Sequence, residues 1–171
     1  MSQGTCFFIG MMGCGKTTIG RKLSKRLGLE FIDLDHEIEN RTGVSIPTIF
    51  EIEGEAGFRQ RESRVLGELK DCDGLLIATG GGVVLSPLNR AVLTGVRPVV
   101  YLQAAPELLY SRVRHDRTRP LLQVSDPLGK ITELVRKRDP LYREVADIVV
   151  AAGSEPGQLL GYLEQEIKQH G

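Results

Sequence analysis

Short continuous apolar runs alternate with stretches of helical period along most of the chain. Thr5-Cys6-Phe7-Phe8-Ile9, Leu29 to Asp33, Leu75-Leu76-Ile77-Ala78, Pro98 to Gln103 and Asp147 to Ala151 read as five short strands. The helical period predicts one helix carrying Ile19, Leu23, Arg26 and Leu27 that stops at Gly28, and another from His36 to Thr42 that ends at Gly43. Further helices are predicted from Pro106 to about Arg114, from Lys130 to Tyr142 and from Pro156 to Gln169. Residues 45–70 combine a proline, glycines and many charges, and read as a helical insertion with a turn at Gly54–Gly57. Residues 115–129 carry charges with Pro120, Pro127 and Gly129, and read as a loop. Apolar strands separated by helices imply a parallel sheet covered on both faces. The strands are short, which favours an open sheet over a barrel. In such sheets ligands bind beyond the carboxyl ends of the strands. Asp33 and the glycine-rich segments after the first and third strands fall there.

The length of 171 residues suits one domain spanning 1–171, able to fold without a disulfide or metal staple. Twenty-two basic and 22 acidic side chains give zero net charge, which argues against a general nucleic-acid or anionic-membrane surface. Aromatics are 5% and Trp is absent, so a base-stacking platform is not expected either. Arginines outnumber lysines 15 to 7, and arginine is the side chain suited to forked binding of carboxylate and phosphate. Cys6, Cys14 and Cys72 form no metal-type pair and leave an odd thiol over, as expected for a reducing cytoplasm. No apolar run reaches membrane-spanning length and no signal peptide is read, so the expectation is a soluble, cytoplasmic protein.

The chemistry concentrates in a few places. Gly10-Met11-Met12-Gly13-Cys14-Gly15-Lys16-Thr17 fits the phosphate-loop pattern G-x-x-x-x-G-K-[ST], with a strand before it and a helix after it. Glycines let successive N–H groups turn inward around phosphate oxygens, and the helix N-terminus adds positive charge. The segment from Gly13 through Cys14, Gly15, Lys16 and Thr17 to Thr18 is therefore the candidate nucleotide site. Lys16 should reach the β- and γ-phosphates, and the Thr17 hydroxyl should ligate Mg²⁺. Cys14 is expected to be the thiol alkylated first, with protection by bound nucleotide. The bland alternative is a flexible glycine-rich turn with a surface lysine.

Asp33-Leu34-Asp35 sits at the mouth of this loop. In an extended segment the two carboxylates point to one side. One can serve the metal and the other a substrate hydroxyl; alternatively Asp35 is only the N-cap of a helix starting at His36. Arg112, Arg114, Arg117 and Arg119 crowd one stretch closed by Pro120, either a lid over polyphosphate or a solvated basic loop. Gly80-Gly81-Gly82 can bring backbone N–H groups close to a ligand, or be a bare turn. Arg59, Arg61, Arg136 and Arg138 are candidate anion ligands, with surface helix charges as the alternative. His36, His115 and His170 show no ligand spacing.

Taken in order, these pieces resemble shikimate kinase, a family of nucleoside-monophosphate-kinase-like P-loop enzymes. The matching residues are the phosphate loop, Asp33-x-Asp35, Gly57-Phe58-Arg59-x-x-Glu62, Thr79-Gly80-Gly81-Gly82, Arg119-Pro120-Leu121-Leu122 and Arg138-x-Pro140-x-Tyr142. The resemblance implies a three-layer α/β P-loop fold with a five-stranded parallel sheet in the order 2-3-1-4-5. It implies a substrate-binding helical insertion at about residues 34–62 and a lid at about 113–125. It implies transfer of the ATP γ-phosphoryl group to the 3-hydroxyl of shikimate, with Mg²⁺, giving shikimate 3-phosphate and ADP. The chain is expected to be a monomer. Carried over by position, Lys16, Asp35 and Arg119 are catalytic, and Thr17 and Asp33 serve Mg²⁺. Asp35 meets the shikimate hydroxyls, Arg59 and Arg138 hold the carboxylate, and Gly80, Gly81 and Gly82 supply backbone contacts. Arg119 descends from the lid onto the phosphates and Arg112 lies near the adenine. Ser154-Glu155-Pro156 stands where the family often places a polar or basic residue beside the adenine. The nearest alternative is a kinase for another small polyol acid, such as gluconate; a nucleotide switch is the alternative of a different class.

Overall fold

The computed structural model describes residues 4–96, 98–116, 119 and 122–170. Five parallel strands form one sheet in the order β2-β3-β1-β4-β5. They are β1 (Cys6–Ile9), β2 (Glu30–Asp33), β3 (Leu75–Ala78), β4 (Val99–Gln103) and β5 (Ile148–Ala151). β1 lies at the centre, with Phe7 opposite both Ile77 and Val99. Every residue of β1 and β3 is buried, the signature of a sheet covered on both faces. The register Asp33↔Ala78 sets Asp33 beside the end of β3, so the turn from Thr79 onward starts next to it.

The helices are α1 (Lys16–Leu27), α2 (Leu34–Thr42), α3 (Ile46–Leu69), α4 (Pro87–Thr94), α5 (Pro106–Val113), α6 (Pro127–Val145) and α7 (Pro156–His170). α1 ends as the sequence predicts, at Gly28 with φ 69°, whose N–H returns to Ser24 O. α1 lies tightly on the sheet at Gly20, where a Cβ would meet Phe31 at 2.8 Å and Leu76 at 3.1 Å. No described helix is long and apolar enough to cross a membrane.

Four local features differ from the sequence pattern. α2 begins at Leu34, two residues before the expected start, because Asp33 is its N-cap and accepts from His36 N at 3.2 Å. Asp35 therefore lies in the first helical turn, and is neither the cap nor in an extended segment. The insertion is two helical stretches joined at Gly54 (φ 74°, ψ 179°), where the expected turn begins; Gly57 is already helical, so the break is shorter than expected. An Arg61–Glu53 ion pair with contacts of 2.9 and 2.5 Å spans the bend. α6 starts at Pro127, inside the expected loop, because Asp126 caps Gly129 N; it runs to Val145 with Pro140 inside. α4 and the short 3₁₀ turn Val83–Leu85 were not expected from the hydrophobic pattern. Their signal is local: Ser86 accepts from Asn89 N, and Pro87 fills the first helical turn.

Candidate active site

The phosphate loop is a sharp reversal. Gly10, Gly13 and Gly15 have φ of 149°, 77° and 102°, values that glycine adopts at little cost. At Gly13 the space is also taken: a Cβ would lie 2.8 Å from Val113 of α5. The Lys16 ammonium is buried and donates to Gly10 O at 2.6 Å and Met11 O at 3.0 Å, which holds it across the loop. Arg112 of α5 donates to Gly13 O at 3.0 Å.

A cleft of about 510 Å³ opens over this loop, within the usual range for small-molecule sites. Gly13, Cys14, Gly15, Lys16, Thr17 and Thr18 form its floor. Asp33, Asp35 and the turn Thr79–Gly81 form one wall, and Arg112 and Arg119 face them. At the far end stand Gly153, Ser154 and Pro156. Glu155 turns away to accept from Gly157 N at 3.0 Å and Gln158 N at 2.7 Å, so it caps α7 instead of facing the cleft. Of the clustered arginines, Arg112 and Arg119 line the cleft and Arg114 does not. Arg119 is half-buried and paired with Asp116 at 3.0 Å. Arg117, Pro120 and Leu121 lie outside the described residues.

The acidic pair divides by geometry. Thr17 Oγ1 donates to Asp33 Oδ2 at 3.3 Å, beside the phosphate loop. Asp35 points instead at the glycine turn, and its Oδ1 is buried without a hydrogen-bond partner among the described residues. Burial and the neighbouring Asp33 charge raise the Asp35 carboxyl above its ordinary range, against the pull of Lys16 and Arg59.

Beyond the cleft wall the glycine turn gathers the remaining candidates. A Cβ on Gly80 would lie 2.9 Å from Asp35 Oδ1, one on Gly81 3.3 Å from Arg138 Nη1, and one on Gly82 2.6 Å from Arg59 Cζ. Each glycine thus admits a different charged side chain, which a bare turn does not need. Arg138 is 4% exposed. Arg59 pairs with Glu62 at 3.1 and 3.3 Å and with Glu55 at 3.5 Å. Glu62 is wholly buried, and burial pushes its carboxyl up to about 7 although Arg59 draws it down. Asn89 Nδ2 lies 3.5 Å from Glu62 and donates to Val83 O at 2.9 Å. Arg61 serves the helix bend and stays away from this cluster.

Glu62, Asn89 and Tyr142 support these groups without having been singled out for a role by the sequence. Arg59–Glu62 is readable as an i,i+3 pair. Asn89 lies on the helix that the hydrophobic pattern missed. The Tyr142 hydroxyl meets Gly81 O, a contact across the sheet that no local pattern announces. The expected first alkylation of Cys14 is not favoured: Cys14 is 2% exposed, with Sγ turned toward Gly10 and Lys16 Nζ at 3.7 Å, whereas Cys72 is exposed. Among the described residues no group of three or more His, Cys, Asp or Glu could hold a metal on side chains alone.

Comparison with known proteins agrees with this geometry. The sequence model of the family described as shikimate kinase matches residues 12–168. The shikimate kinase of Aromatoleum aromaticum is 59% identical over 161 residues, covering 94% of this chain and 92% of that one. That of Nitrosospira multiformis is 54% identical over 167 residues, covering 97% and 86%. Among solved structures, a shikimate kinase from Acinetobacter baumannii in complex with shikimate superposes with a TM-score of 0.93 at 46% identity, covering 98% of this chain and 94% of that one. The shikimate kinase of Aquifex aeolicus superposes with a TM-score of 0.84 at 32% identity, covering 96% of each chain. With the five-stranded order, the phosphate loop and these relatives together, this chain belongs to the shikimate kinase family.

Proposed function

We propose that this chain transfers the γ-phosphoryl group of ATP to the 3-hydroxyl of shikimate, giving shikimate 3-phosphate and ADP. The observation that carries the reading is the cluster around Gly80–Gly82, where one half-buried carboxylate and two guanidiniums adjoin the phosphate loop. A small carboxylate with vicinal hydroxyls complements that set: Arg138 and Arg59 for the carboxylate, Asp35 for a hydroxyl, glycine N–H groups between them. The product would serve aromatic amino-acid biosynthesis.

The chemistry follows from placement. Phosphoryl transfer needs positioning and charge neutralisation more than covalent participation by the protein. The acceptor oxygen forms a bond to the γ-phosphorus, the bond to the bridging oxygen breaks, and its electron pair leaves with ADP. The hydroxyl proton passes to Asp35, whose raised affinity for protons suits it to accept. Lys16 and Arg119 offset charge on the phosphates, and the N–H groups from Gly13 to Thr18 cradle them. Arg112 lies beside the adenine.

Mg²⁺ fits the residues present. The Thr17 hydroxyl and Asp33 carboxylate lie 3.3 Å apart at the loop and offer hard oxygen donors. Mg²⁺ binds through one or two such groups and fills its other positions with water and phosphate oxygens. When bound it neutralises charge shared by the β- and γ-phosphates. The reading extends to one domain over residues 1–171, with residues 34–62 as the acceptor-binding insertion and 113–125 as a lid bringing Arg119 down. It also takes the protein as a cytoplasmic monomer without a nucleic-acid or membrane partner, the last of these supported by the absence of a net positive charge.

Mass spectrometry and phosphorus NMR on a reaction of the protein with MgATP and shikimate test the proposal. One ADP should appear per shikimate 3-phosphate. A phosphate on another hydroxyl, or ATP hydrolysis without an organic phosphate, would refute it.

A further inference from the structure

Tyr142 closes the segment Arg138-x-Pro140-x-Tyr142, yet the mechanism above gives it nothing to do. Its ring is 0% exposed and stacks on Tyr101 of β4, with centroids 4.8 Å apart. The hydroxyl leaves the core and donates to the carbonyl of Gly81. Tyr142 follows Arg138 by one helical turn, so both stand on the same face of α6. Gly81 in turn lies against Arg138 and the phosphate loop, since a Cβ on it would be 3.3 Å from Arg138 Nη1 and 3.5 Å from Met12 N.

We propose that Tyr142 is a positioning residue for the acceptor: its hydroxyl fixes the Gly81 carbonyl, and with it the glycine turn that lies against the Arg138 guanidinium, as one cradle for a carboxylate. The inference rests on the assignment of Arg138 to the shikimate carboxylate. Glycine peptides reorient at little cost, so a bond to the Gly81 carbonyl limits how the turn can rotate. In a trans peptide the carbonyl and the following N–H point in opposite directions. Holding Gly81 O toward Tyr142 therefore turns the Gly82 N–H away from it and fixes the direction of that donor. Burial raises the phenol well above its ordinary range, against the pull of Arg138, so it remains a donor at working pH.

The ring and the hydroxyl have separable duties. Ring burial and stacking serve the core, whereas the hydroxyl bonds only to groups of the site. Tyr142→Phe keeps the ring and removes the hydroxyl. In the full chain this change should raise KM and Kd for shikimate about 5–30-fold, the range for hydrogen bonds to neutral and charged groups. kcat should stay within about threefold, and KM for ATP should not move. Tyr101→Phe is the matched control. It deletes a buried hydroxyl from the same stacked pair, one that bonds Asp139 at 2.7 Å and not the site. It should lower Tm as much as Tyr142→Phe does and leave KM for shikimate unchanged. An unchanged shikimate affinity in Tyr142→Phe overturns the proposal, as does an equal KM rise in Tyr101→Phe or a parallel rise in KM for ATP. Arg138→Lys is measured beside them. If it leaves shikimate binding intact, the assignment of Arg138 fails; if it weakens binding and Tyr142→Phe does not, only the positioning role fails.

Discussion

The phosphate end of the site lies within Gly10 to Thr17 and is made of backbone, one lysine and one hydroxyl. The acceptor end is made of side chains drawn from α2, α3 and α6, set around the backbone of the glycine turn. At the first, specificity is low because any polyphosphate meets the same N–H groups, and the geometry is set by glycines with positive φ. At the second, Asp35, Glu62, Arg59 and Arg138 have been taken wholly or partly out of water, and Arg59 is held by Glu62. Charges assembled in this way are costly unless complemented, so they discriminate among ligands more sharply than a backbone cradle does. The phosphate end should therefore govern rate and the acceptor end should govern which acid is accepted.

Arg119 tests the first half and carries the largest expected effect. It lines the same cleft as the phosphate loop and is held by Asp116 at 3.0 Å. Arg119→Ala should lower kcat by about 10³–10⁵ in steady-state kinetics, the range for an arginine directed at developing phosphate charge. KM for shikimate should hardly change. A near-normal kcat would remove Arg119 from the reaction.

Asp35 joins the two ends and comes next. Asp35→Asn should cut kcat by about 10²–10⁴, the usual share of a general base. The acidic limb of the wild-type rate profile, displaced upward by burial, should disappear with it. Wild-type turnover at saturating shikimate would leave the carboxylate only an anchor.

Glu62 sharpens the acceptor end through pH. Its folded carboxyl titrates near 7, above its ordinary 4.5. As pH falls through about 7 it takes a proton, the Arg59 partner loses its charge, and KM for shikimate should rise. The sign for stability is opposite. The folded state holds that proton more tightly than the unfolded chain, so this group's stabilisation is full below 4.5 and is lost as pH rises to about 7. Glu62→Gln should flatten both dependences, measured by shikimate titration and by melting between pH 5 and about 8. Persistence of both slopes would place the titration elsewhere.

The smallest effect concerns thiol access. Iodoacetamide should modify exposed Cys72 first, with Cys14 and Cys6 slow because both are buried. Peptide mapping that found Cys14 first would show the loop to be more open than its packing against Gly10 and Lys16 implies.

The same contrast explains what could be read before folding. The strands, α1 with its Gly28 stop and the phosphate loop are contiguous signals, and they stand where the pattern places them. Asp33 and Asp35 were named as a pair, but their division of labour depends on a capping bond from His36 N that shifts the helix start. Arg59 and Arg138 are distant in sequence, and the family resemblance singled them out. Composition offered only an excess of arginine. That the glycine triplet must be glycine follows from three different charged side chains crowding it, which no local pattern contains. α4 escaped because its 8 residues give the helical period little more than two turns to show in, although the Ser86-Pro87 cap was legible.

ADP release at saturating MgATP with shikimate, shikimate methyl ester and gluconate as acceptors bears most directly on the division between the two ends. If two guanidiniums select the carboxylate, shikimate should turn over freely and its methyl ester should lose at least about a hundredfold in kcat/KM, as expected when charged hydrogen bonds are forfeited. Gluconate should stay near background. Equal turnover of acid and ester, or ADP release indifferent to shikimate, would contradict the account.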